Sequence, residues 1–279
     1  IPQDCKWKVN RQAWTTAHYA ALTRELAARD RPDLIVYPET ALPIYFGDPF
    51  YAIYADTIAA LAPELGIPIL VGSLKGDYQD DNAPVYNRAF LLNTAGEVED
   101  FADKVHLVPF GEFLPFAAIF QYLEGLTAES GIFTHGQRHK ALIIPGRDES
   151  FGVFICYESI FPEITRALMA QSPHFLVNTT NDAWFGTTAA PYQHWAQVVV
   201  RAVESGRAVV RAANTGISGL VLPDGRVGYA TPIFTTENFS VDVPLQHEQT
   251  VYARFGDFLL VGCTLFLAFT LYRQRRDRD

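Results

Sequence analysis

The sequence is poor in cysteine, with three in 279 residues, at positions 5, 156 and 263. They form neither a CxxC pair nor an even-numbered framework, which excludes a disulfide scaffold and a thiolate zinc site and leaves each to be explained separately. Basic charge is scarce too: 22 Lys+Arg face 31 Asp+Glu, a formal net charge of −9, and four of the arginines are confined to the last seven residues, RQRRDRD. Nucleic acid is not a partner for such a chain. Internal repeats and low-complexity linkers are absent. His135 and His139 have i, i+4 spacing but no Glu or third ligand beside them, so no metal is expected there. The chain opens at Ile1 without a methionine or a signal-peptide pattern, and a piece of a longer protein is expected.

Apolar residues make up 49% of the chain, enough for a substantial core. Residues 11–29 carry helical spacing, with Trp14, Ala17, Ala21, Leu22 and Leu26 as the expected apolar stripe. DLIVYPE (33–39) reads as a buried strand stopped by Pro38, 49–65 as a helix, and GIPILVGSL (66–74) as a strand. Two strands follow around the turn at 93–96, then ALIIPG and SFGVFIC. The second half alternates: helix 162–170, strand HFLVNTTND (174–182), helix 192–207, then AVVRAANTG and SGLVLPDGRVGYA. Continuous Val/Ile/Leu runs separated by helices predict one layered α/β domain over 1–250.

The tail reads differently. FLLVGCTLFLAFTLY (258–272) has no charge for 15 residues and is followed by Arg273, Arg275, Arg276 and Arg278. As a helix it covers about 22 Å against a hydrocarbon core of ~30 Å. The arginine cluster favours a transmembrane helix over 256–273 with a basic cytoplasmic tail at 274–279; a C-terminal core helix is the alternative.

Three residues with reactive chemistry end strand-like runs. Glu39 closes DLIVYPE, Lys104 lies in FADKVHLVP, and Cys156 closes FGVFIC just before a helix entry at Pro162. Strand ends of layered α/β folds converge on pockets. A helix N-terminus and a nearby lysine favour a thiolate, the lysine suits a developing oxyanion, and a glutamate suits proton abstraction from the thiol. Taken singly, each has an ordinary reading: a packed thiol, a helix cap beside Thr40, a solvated edge lysine. The apolar insertion FGEFLPFAAIFQYLEGLTAESGIF (110–133), with Phe113, Leu114, Phe116, Ile119 and Phe120, reads either as a membrane-facing lid or as a short core helix.

The blocks IPQDCKW, YPETALP, YNRAFLLNTAG, KVHLVPFGEFLP, CYESIFPE, NDAWFG and RAANTGISGLVLPDG, in this order, resemble the apolipoprotein N-acyltransferase branch of the nitrilase, or carbon-nitrogen hydrolase, superfamily. The resemblance implies a four-layer αββα sandwich followed by a C-terminal transmembrane helix. It makes Glu39 the general base, Lys104 the oxyanion-stabilising lysine and Cys156 the nucleophile. Glu112 and Glu158 match supporting carboxylates, Tyr157 supplies a backbone N–H, and Trp7, Trp184 and Phe185 match aromatic blocks suited to an acyl chain. The implied reaction moves an acyl group from a phospholipid through a Cys thioester to the α-amine of a diacylglyceryl apolipoprotein. The implied location is the bacterial inner membrane, with the catalytic domain periplasmic, and no cofactor is implied. An amidase with the same triad and water as acceptor is the alternative, and a non-catalytic anchored domain a third. Relatives carry membrane helices and a first strand ahead of the segment matching Ile1, so the first strand is expected to be missing here.

Overall fold

The computed structural model describes residues 1–80, 82–113, 115 and 133–277. Most of the apolar insertion, including Leu114, Phe116, Ile119 and Phe120, and the terminal Arg278 lie outside the described residues; so does the choice between lid and core helix.

The described strands form two sheets. In the first, β1 (Ile35–Val36), β2 (Ile69–Lys75), β3 (Tyr86–Leu92) and β4 (Val98–Asp103) lie in sequence order. β1 and β2 are parallel and the rest antiparallel, with Ile35 opposite Ile69 and Val71 opposite Phe90. The second sheet runs β10-β9-β8-β7-β6-β5, from β5 (Ala141–Ile143), β6 (Ser150–Ile155), β7 (Phe175–Asn181), β8 (Val209–Asn214), β9 (Gly219–Val221) and β10 (Val227–Ala230). Its centre, β6-β7-β8, is parallel. All seven residues of β7 are buried, as expected of a parallel strand covered on both faces.

Three apolar clusters define the layers. Leu70, Ala89 and Leu91 of the first sheet pack with Phe151, Val153, Ile155 and Val177 of the second, so the sheets lie face to face. On the outer face of the first sheet, Ile69, Val71 and Phe90 meet α2 (Gln12–Asp30), α3 (Ala52–Ala59) and α4 (Leu61–Leu65) through Ala20, Leu26, Ile58 and Leu61. On the outer face of the second, Phe154, Leu176 and Val209 meet α5 (Pro162–Met169) and α6 (Ala190–Ser205) through Leu168, Val198 and Ala202. Helices outside and sheets inside give the αββα order. Pro162 occupies the first turn of α5, where a missing N–H costs nothing.

Several expectations need correction. The buried face of α2 is not the expected apolar stripe: Trp14, Ala17 and Ala21 are exposed and Leu22 is half-buried, and of that stripe only Leu26 is buried. The inward face is Gln12, Thr16, Ala20, Thr23 and Ala27, small or hydrogen-bonding residues that permit close packing; Thr23 shares a hydrogen bond with the Tyr37 hydroxyl, and Gln12 donates to the Pro43 carbonyl. The strand in DLIVYPE shrinks to Ile35–Val36, and the helix over 49–65 divides into a 3-10 turn, α3 and α4. The tail forms α8 (Phe258–Arg276) after the short α7 (Val251–Phe255), and none of its side chains is buried, which removes the core-helix alternative. The expected transmembrane span is not confirmed: no helix among the described residues is long and apolar enough to cross a membrane, the uncharged stretch stopping four residues short of the helix end.

β1 ends the first sheet. Beside it lies a cavity of about 530 Å³, lined by Leu34, Tyr37, Val210 and Ala212 and by Phe239 and Val241 of a segment without ladder pairing.

Candidate active site

The ends of three strands meet at one point between the sheets. Glu39 follows β1, Lys104 follows β4 directly, and Cys156 follows β6 directly. All three are buried. Lys104 Nζ donates to Glu39 Oε1 at 3.0 Å and to Glu112 Oε1 at 2.6 Å. Glu39 Oε1 also accepts from Asn87 Nδ2 at 2.7 Å, and Oε2 accepts the backbone N–H of Asn181 at 2.8 Å, a bond that crosses from one sheet to the other. The second Glu112 oxygen accepts the N–H of Val108 at 2.9 Å, which holds that carboxylate toward the lysine.

The electrostatics follow from burial and pairing. Burial pushes the Glu39 carboxyl up, but Lys104, Lys6 and the Asn87 bond outweigh it and hold Glu39 below its ordinary value. Burial pulls the Lys104 ammonium down, and Glu39, Cys156 and Glu112 more than reverse it, so Lys104 is charged. Burial, with the Glu39 charge, pushes the Cys156 thiol up to about 12 against the opposing pull of Lys104. The resting pair is a carboxylate and a thiol.

Cys156 has φ of 53°, a left-handed conformation that a residue with a Cβ rarely takes. The 3-10 turn Cys156–Ile160 that it opens is braced from two sides. Glu158 Oε2 accepts the N–H of Ile155, and Oε1 accepts the N–H groups of Val105 and His106 at 2.7 and 2.9 Å, joining the Cys156 turn to the segment after Lys104. His194, on α6, lies within hydrogen-bond distance of the Cys156 carbonyl (3.0 Å) and the Ser159 hydroxyl (2.7 Å) through Nε2, and of Asp182 Oδ1 (2.9 Å) through Nδ1. Arg211 donates to Asp182 Oδ2 at 2.7 Å and to Asn178 Oδ1 at 2.7 Å.

The structure thus brings together Glu39, Lys104, Glu112, Cys156 and Glu158. Tyr157 is half-buried and packs edge-on against Phe161. Trp7 and Trp184 are exposed, and half-buried Phe185 lies edge-on to His194. Lys6, Asn87, Asp182, His194 and Arg211 were not singled out from the sequence. For Asp182 a signal existed: NTTND closes a strand otherwise as apolar as HFLV, and polar residues at the buried end of a strand must find partners. Among the described residues no three His, Cys, Asp or Glu gather in a way that could hold a metal ion.

A buried Glu-Lys-Cys cluster where two sheets of an αββα sandwich meet defines a class, and the carbon-nitrogen hydrolase family model matches residues 2–252. The chain belongs to that family. Within it, the chain is 40% identical over 264 residues to the apolipoprotein N-acyltransferase of Geobacter metallireducens, covering 94% of this chain and 50% of that one. It is 33% identical over 279 residues to the apolipoprotein N-acyltransferase of Methylococcus capsulatus, covering 99% and 53%. The chain spans about half the length of the curated relatives it matches. The fold is shared with a carbon-nitrogen hydrolase from Helicobacter pylori (TM-score 0.59, 15% identity, 79% of this chain and 80% of that one) and with Saccharomyces cerevisiae Nit3 (TM-score 0.59, 18% identity, 80% and 81%).

Proposed function

We propose that this chain is the catalytic part of a membrane-associated apolipoprotein N-acyltransferase. The observation that carries the reading is the Lys104 ammonium bound between Glu39 and Glu112 beside the Cys156 thiol; the extent of likeness to curated N-acyltransferases supports the choice of acceptor.

The thiol is a poor nucleophile at rest, so its proton passes to Glu39 as the sulfur attacks the ester carbonyl of a phospholipid. The resulting oxyanion is held by Lys104 and the backbone N–H of Tyr157. When the adduct collapses, the ester C–O bond breaks, Glu39 returns its proton to the leaving oxygen, and a lysophospholipid departs, leaving a Cys156 thioester. The α-amine of a diacylglyceryl-cysteine then attacks the thioester, Glu39 takes a proton from it, and the C–S bond breaks to give the N-acyl lipoprotein and the regenerated thiol. Glu112 fixes Lys104, Glu158 fixes the turn, and the aromatic rings of Trp7, Trp184 and Phe185 border the acyl chain.

Anchoring belongs to the same proposal. α8 is the membrane contact, its exposed apolar side chains entering the lipid and its arginines lying at the headgroups, and the layered domain at 1–250 faces the periplasm.

The test is intact mass of the chain after incubation with phospholipid. A hydroxylamine-labile acyl adduct, absent in Cys156→Ser and discharged onto an added diacylglyceryl peptide, supports transfer. Discharge to water alone makes the chain a hydrolase instead.

A further inference from the structure

Lys6 ends α1 (Gln3–Lys6), a single helical turn, yet it is only 1% exposed. Its Nζ donates to the Glu39 backbone carbonyl at 3.0 Å and stands 6.0 Å from the centre of the Trp7 ring. No carboxylate oxygen among the described residues lies in salt-bridge contact with it. A buried ammonium held by one carbonyl is under-compensated locally, and its charge must be balanced through space. Burial lowers Lys6 to about 8, and the groups that oppose this are Glu39 and Cys156, the base and the nucleophile.

We infer that Lys6 is a second ammonium of the active site, which fixes the main chain of Glu39 and supplies positive potential to the anion formed at Cys156. Lys6, Lys104, Glu39 and Glu112 carry formal charges that cancel. When the Cys156 sulfur bonds to the acyl carbon and its proton moves to Glu39, the carbonyl oxygen gains the negative charge that Glu39 loses, so the sum stays at zero. Without Lys6 these groups sum to a net negative charge before and throughout the step, in a buried site where it is poorly screened. Lys6 acts on Glu39 through the backbone and on Cys156 through space, so it is a positioning residue.

The inference rests on Cys156 as the nucleophile, and alkylation by iodoacetamide reads that thiol directly, whatever the acyl donor. The rate of Cys156 alkylation against pH, followed by peptide mass, is compared in the unchanged chain, Lys6→Met, Lys6→Gln and Lys6→Arg, with circular dichroism to verify folding. The neutral variants are expected to slow alkylation roughly tenfold at each pH at which the chain stays folded, and Lys6→Arg to restore most of the rate. A folded neutral variant with the parent profile overturns the role of Lys6 alone. Failure of both neutral variants to fold makes Lys6 structural and overturns it as well. If prior incubation with phospholipid leaves Cys156 of the unchanged chain as open to alkylation as before, the nucleophile assignment itself falls.

Discussion

Glu158 Oε2 accepts the backbone N–H of Ile155 at 2.7 Å, so a carboxylate two residues past the nucleophile clamps the residue just before it. The other oxygen holds the N–H groups of Val105 and His106, and one side chain therefore sets the spacing between the Cys156 and Lys104 segments.

Burial raises Glu158 to about 7, against the pull of the three N–H groups and Lys104. Its folded value lies above its ordinary 4.5, so between these values the folded chain keeps a proton that the unfolded chain has released. Stability contributed by this group is full below about 4.5 and falls as pH rises toward 7, by an amount on the order of 3 kcal/mol. Urea unfolding between pH 4.5 and 8 should show this slope in the parent and not in Glu158→Gln. Parallel curves would refute the assignment.

Lys104→Met removes the cation shared by Glu39 and Glu112. Buried Glu39 and half-buried Glu112 then lose the cation they share, with only Lys6 left nearby, and the expected cost is about 3–5 kcal/mol of stability, together with the loss of the oxyanion partner. Acylation should fall by roughly 10²–10³-fold or more, with the Glu39 carboxyl moving upward. A variant that acylates at the parent rate would remove Lys104 from the mechanism.

Gly72, on β2, is a control point for Glu39. A methyl group there would lie 2.2 Å from the Pro38 carbonyl oxygen, 2.7 Å from the Thr40 nitrogen and 3.0 Å from the Glu39 Cα, all backbone atoms that cannot swing aside. Gly72→Ala is expected to displace the Pro38–Thr40 turn and to cost at least ~1–3 kcal/mol. Acylation should drop further than stability alone explains when assayed well below the melting temperature. Unchanged kinetics in a destabilised variant would separate the turn from catalysis.

Asp182 and Arg211 form a fully buried pair with His194 at its side. Burial pushes Asp182 up, but Arg211 and His194 prevail and hold it below its ordinary value, so the stability it contributes is present above pH 3.8 and is lost as pH falls below that. Asp182→Asn leaves the Arg211 charge uncompensated and should cost about 3–5 kcal/mol at pH 7. The deficit relative to the parent, measured by urea unfolding, should narrow on acidification; a constant deficit would exclude the charge pair as its cause.

Glu39, Lys104 and Cys156 were visible in the sequence because each interrupts or ends an apolar run, where a polar side chain needs a reason. The alternation of runs predicted a layered α/β domain, and the family resemblance implied its αββα order. Lys6 was hidden for the opposite reason: in IPQDCKW it has polar neighbours and no apolar run beside it, so nothing distinguishes it from a solvated lysine. The α2 stripe was misplaced because its inward face uses alanine and threonine, whose burial depends on the closeness of neighbouring helices rather than on hydropathy. β1 contracted to two residues because strand length depends on available ladder partners, which lie elsewhere in the chain.

The Glu39 carboxylate follows an edge strand of one sheet, and the Asn181 N–H it accepts belongs to the other sheet. The reactive centre is thus also a seam: the contacts that align base and nucleophile are among those that hold the two halves of the sandwich in register. Sliding one layer over the other by an ångström, with every strand intact, separates the base from its partner. Heat or solvent that loosens the interface should silence the chemistry before secondary structure is lost.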